Sequence, residues 1–347
     1  MAKDSLNIIS EINKKFGEGS IFKLGDKIAE DVEAFSTGIL GLDAALGIKG
    51  FPKGRISEIL GAPGTGKTSI CLSAAADAQR KGEKVAFIDM EHALSNLHAQ
   101  NLGVDVDALF VAQPNSGNDG LSIAKMVIES GQFGLVIIDS VAALLPEQEE
   151  AQEDFGSSNV GLHARLMAQA CRKLNPLVSV NNVALVFVNQ YRVNIAALGY
   201  GDNQVPTGGN SLKFFASLRI DLKRINQIKD KDTDSVIGHY MKAKVLKNKC
   251  FKPFLEYQYP VYYGVDSVNL DEIVELSVEY GYVKKAGAWV NYGELKWNGL
   301  TKFKQALLEN NELADELKVK IEADLEKYVI KGEKRPKKGK DIDAEIE

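Results

Sequence analysis

Leu6, Ile9, Ile12 and Phe16 recur at three- and four-residue intervals, a spacing that places them on one face of a helix over residues 3–16. A lone amphipathic helix ahead of the main body must bury that face, on its own core or on a neighbouring subunit. The pattern leaves both open. From residue 55 onward, short β-branched runs stand at 55–60 (RISEIL), 84–89 (KVAFID), 135–140 (LVIIDS), 184–190 (ALVFVNQ) and 218–225 (LRIDLKRI). Helical stretches fill the gaps between the first four, among them 68–80, 119–130 and 161–174, the last expected to end or kink at Pro176. Unbroken apolar strands alternating with helices predict an α/β fold whose mostly parallel sheet is covered on both faces. HYMKAKVLKNK (239–249) and PFLEYQYPVYY (253–263) have no helix between them and read as antiparallel additions. Beyond residue 266, two helical stretches flank AGAWVNYGELKW, which predicts a small α+β domain. Residues 331–347 run basic, then acidic, and have the composition of a disordered tail.

With 347 residues, 45 % hydrophobic and 26 % charged, the chain is long enough for about two domains of ordinary globular composition. A net charge of −5 excludes a uniform basic coat but not a local basic groove. Cys71, Cys171 and Cys250 are scattered, which suits reduced thiols. The opening MAKDSLNIIS has no long apolar core of a signal peptide, and no run approaches the ~18 apolar residues of a membrane span. A cytoplasmic protein with no membrane partner is expected.

Chemistry enters at residues 61–68. Gly61, Ala62, Pro63, Gly64, Thr65, Gly66, Lys67 and Thr68 fit G-x-x-x-x-G-K-[ST] between a predicted strand and a predicted helix. Glycines let the loop curl so that successive N–H groups face phosphate oxygens, and the helix adds its positive end. Lys67 is expected to reach the β- and γ-phosphates of a bound nucleotide, and Thr68 to hold Mg²⁺. Asp139 ends a strand read as a neighbour of the P-loop strand and suits the same metal. Were strand 84–89 also a neighbour, Glu91 would lie at the carboxyl edge, where a carboxylate can activate water; Asp89 and His92 are rivals by composition alone. Gln190 ends another strand, and its amide can sense a γ-phosphate, although a plain capping role explains it as well.

Two long segments without regular pattern, 147–161 and 191–210, follow adjacent strands and can grip an extended polymer, or be plain surface loops. Arg165, Arg172 and Arg192 add local positive charge, and the backbone N–H groups of Gly208 and Gly209 can meet phosphates. Lys247 and Lys249 fall on one face of a strand, either as a solvated edge or pointing at a neighbour's phosphates.

KKFGEGSI, STGILGLD, GAPGTGKT, FIDMEHAL, VIIDSVAALLP, GLHARLMAQACRKL, NQYR, TGGNSLKF, KNK and KAGAW, in this order, resemble the bacterial RecA recombinase family over nearly all of residues 5–330. The resemblance implies a P-loop RecA-like core with an N-terminal oligomerisation arm (1–34), the ATPase core (35–265), a C-terminal α+β domain (266–330) and the tail (331–347). It implies a DNA-dependent ATPase that forms helical filaments on single-stranded DNA, pairs it with homologous duplex and exchanges strands in recombination and repair. A place in the SOS response with a LexA-like repressor as partner is also implied.

The same likeness makes Glu91 the activator of water, Gln190 the link from γ-phosphate to the second DNA loop, and Lys247 and Lys249 contacts to ATP on the adjoining protomer. Segments 153–161 and 191–208 correspond to the DNA loops. Arg165, Arg172, Gly208, Gly209 and Asn210 correspond to contacts with the DNA backbone. Tyr263 stands near the nucleotide base.

The chain departs from the family at several points. Gly64 replaces an acidic P-loop residue, and Ser95 and His98 replace the aspartate and aromatic beside adenine. The second loop is one residue longer, with Leu198 and Tyr200 in place of the usual Met-Phe pair. Alternatives are another RecA-like motor, such as a ring helicase or ATPase regulator, and a weakly hydrolysing DNA-coating filament. A GTPase is disfavoured because no N-K-x-D guanine signature is present.

Overall fold

The computed structural model describes residues 2–17, 20–21, 32–147, 161–193, 204–230, 233–263 and 268–331. The first candidate DNA loop apart from Gly161, most of the second with Leu198 and Tyr200, and the tail from residue 332 lie outside the described residues. The chain forms two compact units, residues 1–32 and 33–347. The first carries helix α1 (Ala2–Phe16), closed by Gly17 at φ +104°, whose N–H donates to Asn13 O at 2.9 Å. Phe16 and Ile8 are exposed on it.

The second unit is built on an eight-stranded sheet in the order β12-β11-β10-β3-β7-β6-β4-β5. Its members are β3 (Ile56–Gly61), β4 (Lys84–Asp89), β5 (Leu109–Ala112), β6 (Phe133–Asp139), β7 (Ala184–Asn189), β10 (Leu218–Lys229), β11 (Val236–Asn248) and β12 (Glu256–Tyr262). The run from β10 to β5 is parallel; β11 is antiparallel to both its neighbours. Alternate residues feed opposite faces: Leu135 and Ile137 join one core cluster, Val136 and Ile138 the other. Helices α3 (Lys67–Arg80), α5 (Gly117–Glu129) and α6 (Leu162–Val180) run beside it. The small residues of α3, Ala74, Ala75, Ala76 and Ala78, are buried, which lets that helix lie close to the sheet.

Two expectations are corrected. Strand β7 separates the P-loop strand β3 from β6, and β4 lies one strand further out, so neither Asp139 nor Glu91 follows an adjacent strand. Pro176 does not end α6, which continues to Val180. Pro176 sits on the exposed face, where water can replace the backbone bond that proline removes. Pro260 likewise fits β12 because that strand is the sheet edge.

Short elements complete the unit. Strands β1 (Ala34–Phe35) and β2 (Phe51–Pro52) pair around helix α2 (Leu40–Leu46). Helix α4 (Asn96–Asn101) follows β4. Strands β8 (Tyr191–Val193) and β9 (Gln204–Pro206) form a two-stranded ladder leading into α7 (Ser211–Phe215). The C-terminal part has helix α8 (Val268–Glu279), a sheet of β13 (Lys284–Ala286), β14 (Trp289–Tyr292) and β15 (Leu295–Asn298), then α9 (Leu300–Glu309) and α10 (Asn311–Leu325). Its apolar residues, Ile273, Leu276, Phe303 and Leu317 among them, are continuous with the core on the α2 side of the large sheet.

Candidate functional site

The P-loop connects β3 to α3. Gly64 and Gly66 adopt φ +70° and +76°, the left-handed region that glycine reaches without strain. No atom lies within 4 Å of where a Cβ on Gly66 would project, so the position needs glycine for its backbone and not for space. Lys67 is buried, and its Nζ donates to the carbonyls of Gly61 and Ala62 at 3.0 and 2.9 Å. Burial lowers its pKa, against the pull of Asp139 and Glu91.

Thr68 Oγ1 donates to Asp139 Oδ2 at 2.6 Å. The bond spans the intervening strand because Thr68 rides on the first turn of α3. Burial pushes the Asp139 carboxyl up to about 6, partly offset by Thr68, while Glu91 adds to the rise. In parallel register Asp89 stands beside Asp139. Asp89 is committed to structure: it accepts from Ala93 N, Leu94 N and Gln113 Nε2 at 3.4, 3.1 and 2.9 Å, shaping the turn that carries Glu91. His92 reaches Pro114 O at 3.3 Å and is a packing residue of the same turn.

Glu91 Oε1 accepts from two donors, Ser140 Oγ at 2.6 Å and Gln190 Nε2 at 2.9 Å. Its Oε2 has no hydrogen-bond partner among the described residues. Gln190 in turn has its carbonyl tied to Thr207, whose N–H and Oγ1 donate at 3.0 and 3.1 Å. One residue thus touches both the carboxylate and the far end of the second loop. Beneath it, Asn189 Nδ2 donates to Thr207 O and to Glu58, which is paired with Arg219.

A cleft of about 640 Å³ extends from Gly64–Ile70 to a wall of Thr37, Gly38, Ile39, His98, Tyr262 and Tyr263. His98 Nε2 lies 2.9 Å from Ser69 Oγ. Tyr263 packs tilted against His239, ring centroids 5.5 Å apart. Ser95 is not part of this wall; its Oγ caps α4 by accepting from His98 N at 3.3 Å.

Arg165 and Arg172 are exposed and seven residues apart on α6, which puts them on one face two turns apart. Arg192 is exposed on β8. Gly208 is buried at φ +81°, where a Cβ would meet Met167 Cγ at 2.9 Å; Gly209 and Asn210 are exposed. Lys247 Nζ caps α7, donating to the carbonyls of Lys213 and Phe214 at 2.8 and 2.9 Å. Lys249 is corrected: β11 ends at Asn248, and Lys249 lies past it, exposed, with its N–H on Ser217 O. Neither lysine lines its own chain's cleft.

Residues 4–267 match the family model described as the RecA N-terminal domain, and residues 271–326 match the RecA C-terminal domain. The chain belongs to the RecA family. It is 45 % identical to "Protein RecA" of Mannheimia haemolytica over 323 residues, covering 93 % of this chain and 86 % of that one. It is 45 % identical over 314 residues to the RecA proteins of Gluconacetobacter polyoxogenes and of a Nitratiruptor species, covering 90 % of this chain and 89 % and 90 % of theirs.

Sequence reasoning missed four parts of this candidate site. Ser140 directly follows Asp139 and was legible as a second strand-end polar group. Arg224, whose Nη2 donates to Gly64 O at 2.9 Å, arrives from 160 residues away through the β3–β10 pairing and has no local signal. The Thr37–Ile39 wall and His239 likewise reach the cleft only through tertiary packing.

Proposed function

We propose that this RecA-family chain is a DNA-dependent ATPase that assembles as a filament on single-stranded DNA and exchanges strands with homologous duplex. The observation that carries this reading is Gln190, which holds the carboxylate of Glu91 with its side chain and the end of a DNA-loop segment with its backbone. A ligand that displaces the loop moves the group that orients the carboxylate. The matches to both RecA domains do not favour a ring helicase, an ATPase regulator or an inert coating filament.

The residues fit ATP and Mg²⁺. Thr68 and Asp139 form an oxygen pair at the head of α3, and among the described residues no cluster of three or more His, Cys, Asp or Glu competes for a metal. Two protein oxygens completed by water and phosphate suit Mg²⁺. The metal supplies charge neutralisation on the phosphates when bound. Gly61 to Thr68 cradle the phosphates, with Lys67 turning from its carbonyl partners to phosphate oxygen.

Glu91 takes the proton of the attacking water at Oε2, because Ser140 and Gln190 already occupy Oε1. His98 and Tyr263 flank the base, and Ser95 acts through the turn it caps. Lys247, on leaving the α7 carbonyls it caps, and the exposed Lys249 reach a neighbouring protomer's phosphates, and the exposed apolar residues of α1 dock on a neighbour. Arg165, Arg172 and Arg192 with Gly208, Gly209 and Asn210 hold the DNA backbone. A cytoplasmic role in the SOS response with a LexA-like repressor completes the reading; no described helix is long and apolar enough to cross a membrane.

The test is steady-state ATPase with and without single-stranded DNA. Hydrolysis rises on adding DNA and vanishes in Lys67→Ala. A rate indifferent to DNA, with Lys67→Ala still inactive, refutes the coupling.

A further inference from the structure

Helix α8 of the C-terminal part is bonded at two points to segments that form or adjoin the cleft wall. Glu272, 1 % exposed, accepts hydrogen bonds from the backbone N–H groups of Leu40 and Gly41 at 2.7 and 2.9 Å. Three residues along the same helix face, Glu275 Oε1 accepts from the Tyr262 hydroxyl at 3.1 Å. Tyr262 lines the cleft itself, and Leu40 and Gly41 directly follow the lining residues Thr37, Gly38 and Ile39.

The 36–41 segment is held from several directions. Ser36 N donates to Asp77 Oδ2 on α3 at 2.9 Å. Thr37 N and Oγ1 donate to Asp43 Oδ1 at 2.9 and 2.7 Å. A Cβ on Gly38 would stand 2.6 Å from Ser73 Cβ, so the backbone touches the P-loop helix with no slack. A Cβ on Gly41 would stand 2.0 Å from the Tyr257 ring, so the other end is packed as tightly. Among these anchors only Glu272 comes from the C-terminal part. A buried carboxylate on two N–H donors is strong and directional, and no water can replace it there.

We propose that Glu272, seconded by Glu275, is a positioning residue for the nucleotide: through the 37–41 segment, whose first three residues line the cleft, and through Tyr262, the C-terminal part sets the affinity for ATP. The inference rests on reading the cleft as the nucleotide site. By reciprocity, any ligand that shifts α8 changes ATP affinity, and ATP changes the affinity for that ligand.

The experiment uses the full-length protein. Glu272→Gln keeps the volume and one carbonyl acceptor but turns an NH₂ group toward one of the two N–H donors. KM for ATP rises about tenfold, the scale of one charge-assisted hydrogen bond, while kcat at saturating ATP stays within about twofold. Affinity for a fluorescent ATP analogue, measured without DNA, falls by the same factor. Glu275→Ala moves both in the same direction by about threefold. Unchanged KM and analogue affinity in folded variants, or a loss confined to kcat, overturns the proposal. Should Glu272→Gln fail to fold by circular dichroism, Glu275→Ala decides by the same criterion. Lys67→Ala run alongside separates the two levels. Loss of analogue binding there with unaltered Glu272 and Glu275 variants sinks the positioning role alone. Retained binding in Lys67→Ala sinks the nucleotide reading and the proposal with it.

Discussion

Arg219→Met is expected to be among the most damaging single substitutions away from the P-loop. Glu58 is fully buried in the P-loop strand, directly beside Arg219 in the parallel β3–β10 register. Arg219 Nε donates to Glu58 Oε2 at 2.5 Å, and Asn189 Nδ2 donates to Oε1 at 2.7 Å. Methionine fills a similar volume but donates nothing, so a buried carboxylate keeps one neutral donor and loses its countercharge. Breaking a buried ion pair from one side costs about 3–5 kcal/mol, most of it the desolvation of the abandoned charge. Removing both charges in Glu58→Leu with Arg219→Met is expected to recover most of that loss, because Asn189 Nδ2 retains its bond to Thr207 O at 3.0 Å. Urea unfolding of wild type, both single variants and the double variant at one pH gives the cycle. A single-variant loss under about 1 kcal/mol, or a double variant as unstable as the sum of the singles, refutes the reasoning.

Gln190→Ala removes one of the two donors to Glu91 Oε1 while leaving the P-loop intact. ATP analogue binding is retained and stimulation of hydrolysis by single-stranded DNA is lost; stimulation equal to wild type contradicts the coupling role. Stability is also expected to fall as pH rises from about 5 to 7. Burial pushes Asp43 and Glu272 each up to about 7 from ordinary values of 3.8 and 4.5, so the folded state binds protons in that window that the unfolded state has released. The stability is present at the acid side and is lost as pH rises toward 7. Urea midpoints at pH 5, 6 and 7 should decline less steeply in Asp43→Asn than in wild type, and an unchanged slope refutes the assignment.

Much of the core was legible because burial on both faces leaves a plain record. Strands β4, β6 and β7 are nearly continuous apolar runs, β3 carries Ser57 and Glu58 within its run, and the bounds of all four fall within a residue or two of the expectation. Strand β5, LFVA, is as apolar as the others but leaves a shorter record, because this edge strand is only four residues long. Strand order was not legible: apolar runs carry no label for their neighbours, so nothing in β6 or β4 tells how far each lies from the P-loop strand. The P-loop itself was readable because phosphate binding demands glycine and lysine at fixed spacing. Arg224, His239 and the Thr37–Ile39 wall were not, since each joins the cleft through packing between residues far apart in sequence. Pro176 misled because its cost in a helix depends on which face it occupies, and periodicity alone does not weigh that.

The most direct measurement of the central claim is electron microscopy of the purified protein with single-stranded DNA, with and without a non-hydrolysable ATP analogue. The account predicts extended helical filaments when both are present and none with Lys67→Ala. Closed rings, isolated monomers with both ligands in excess, or filaments indifferent to nucleotide and to Lys67 would contradict it.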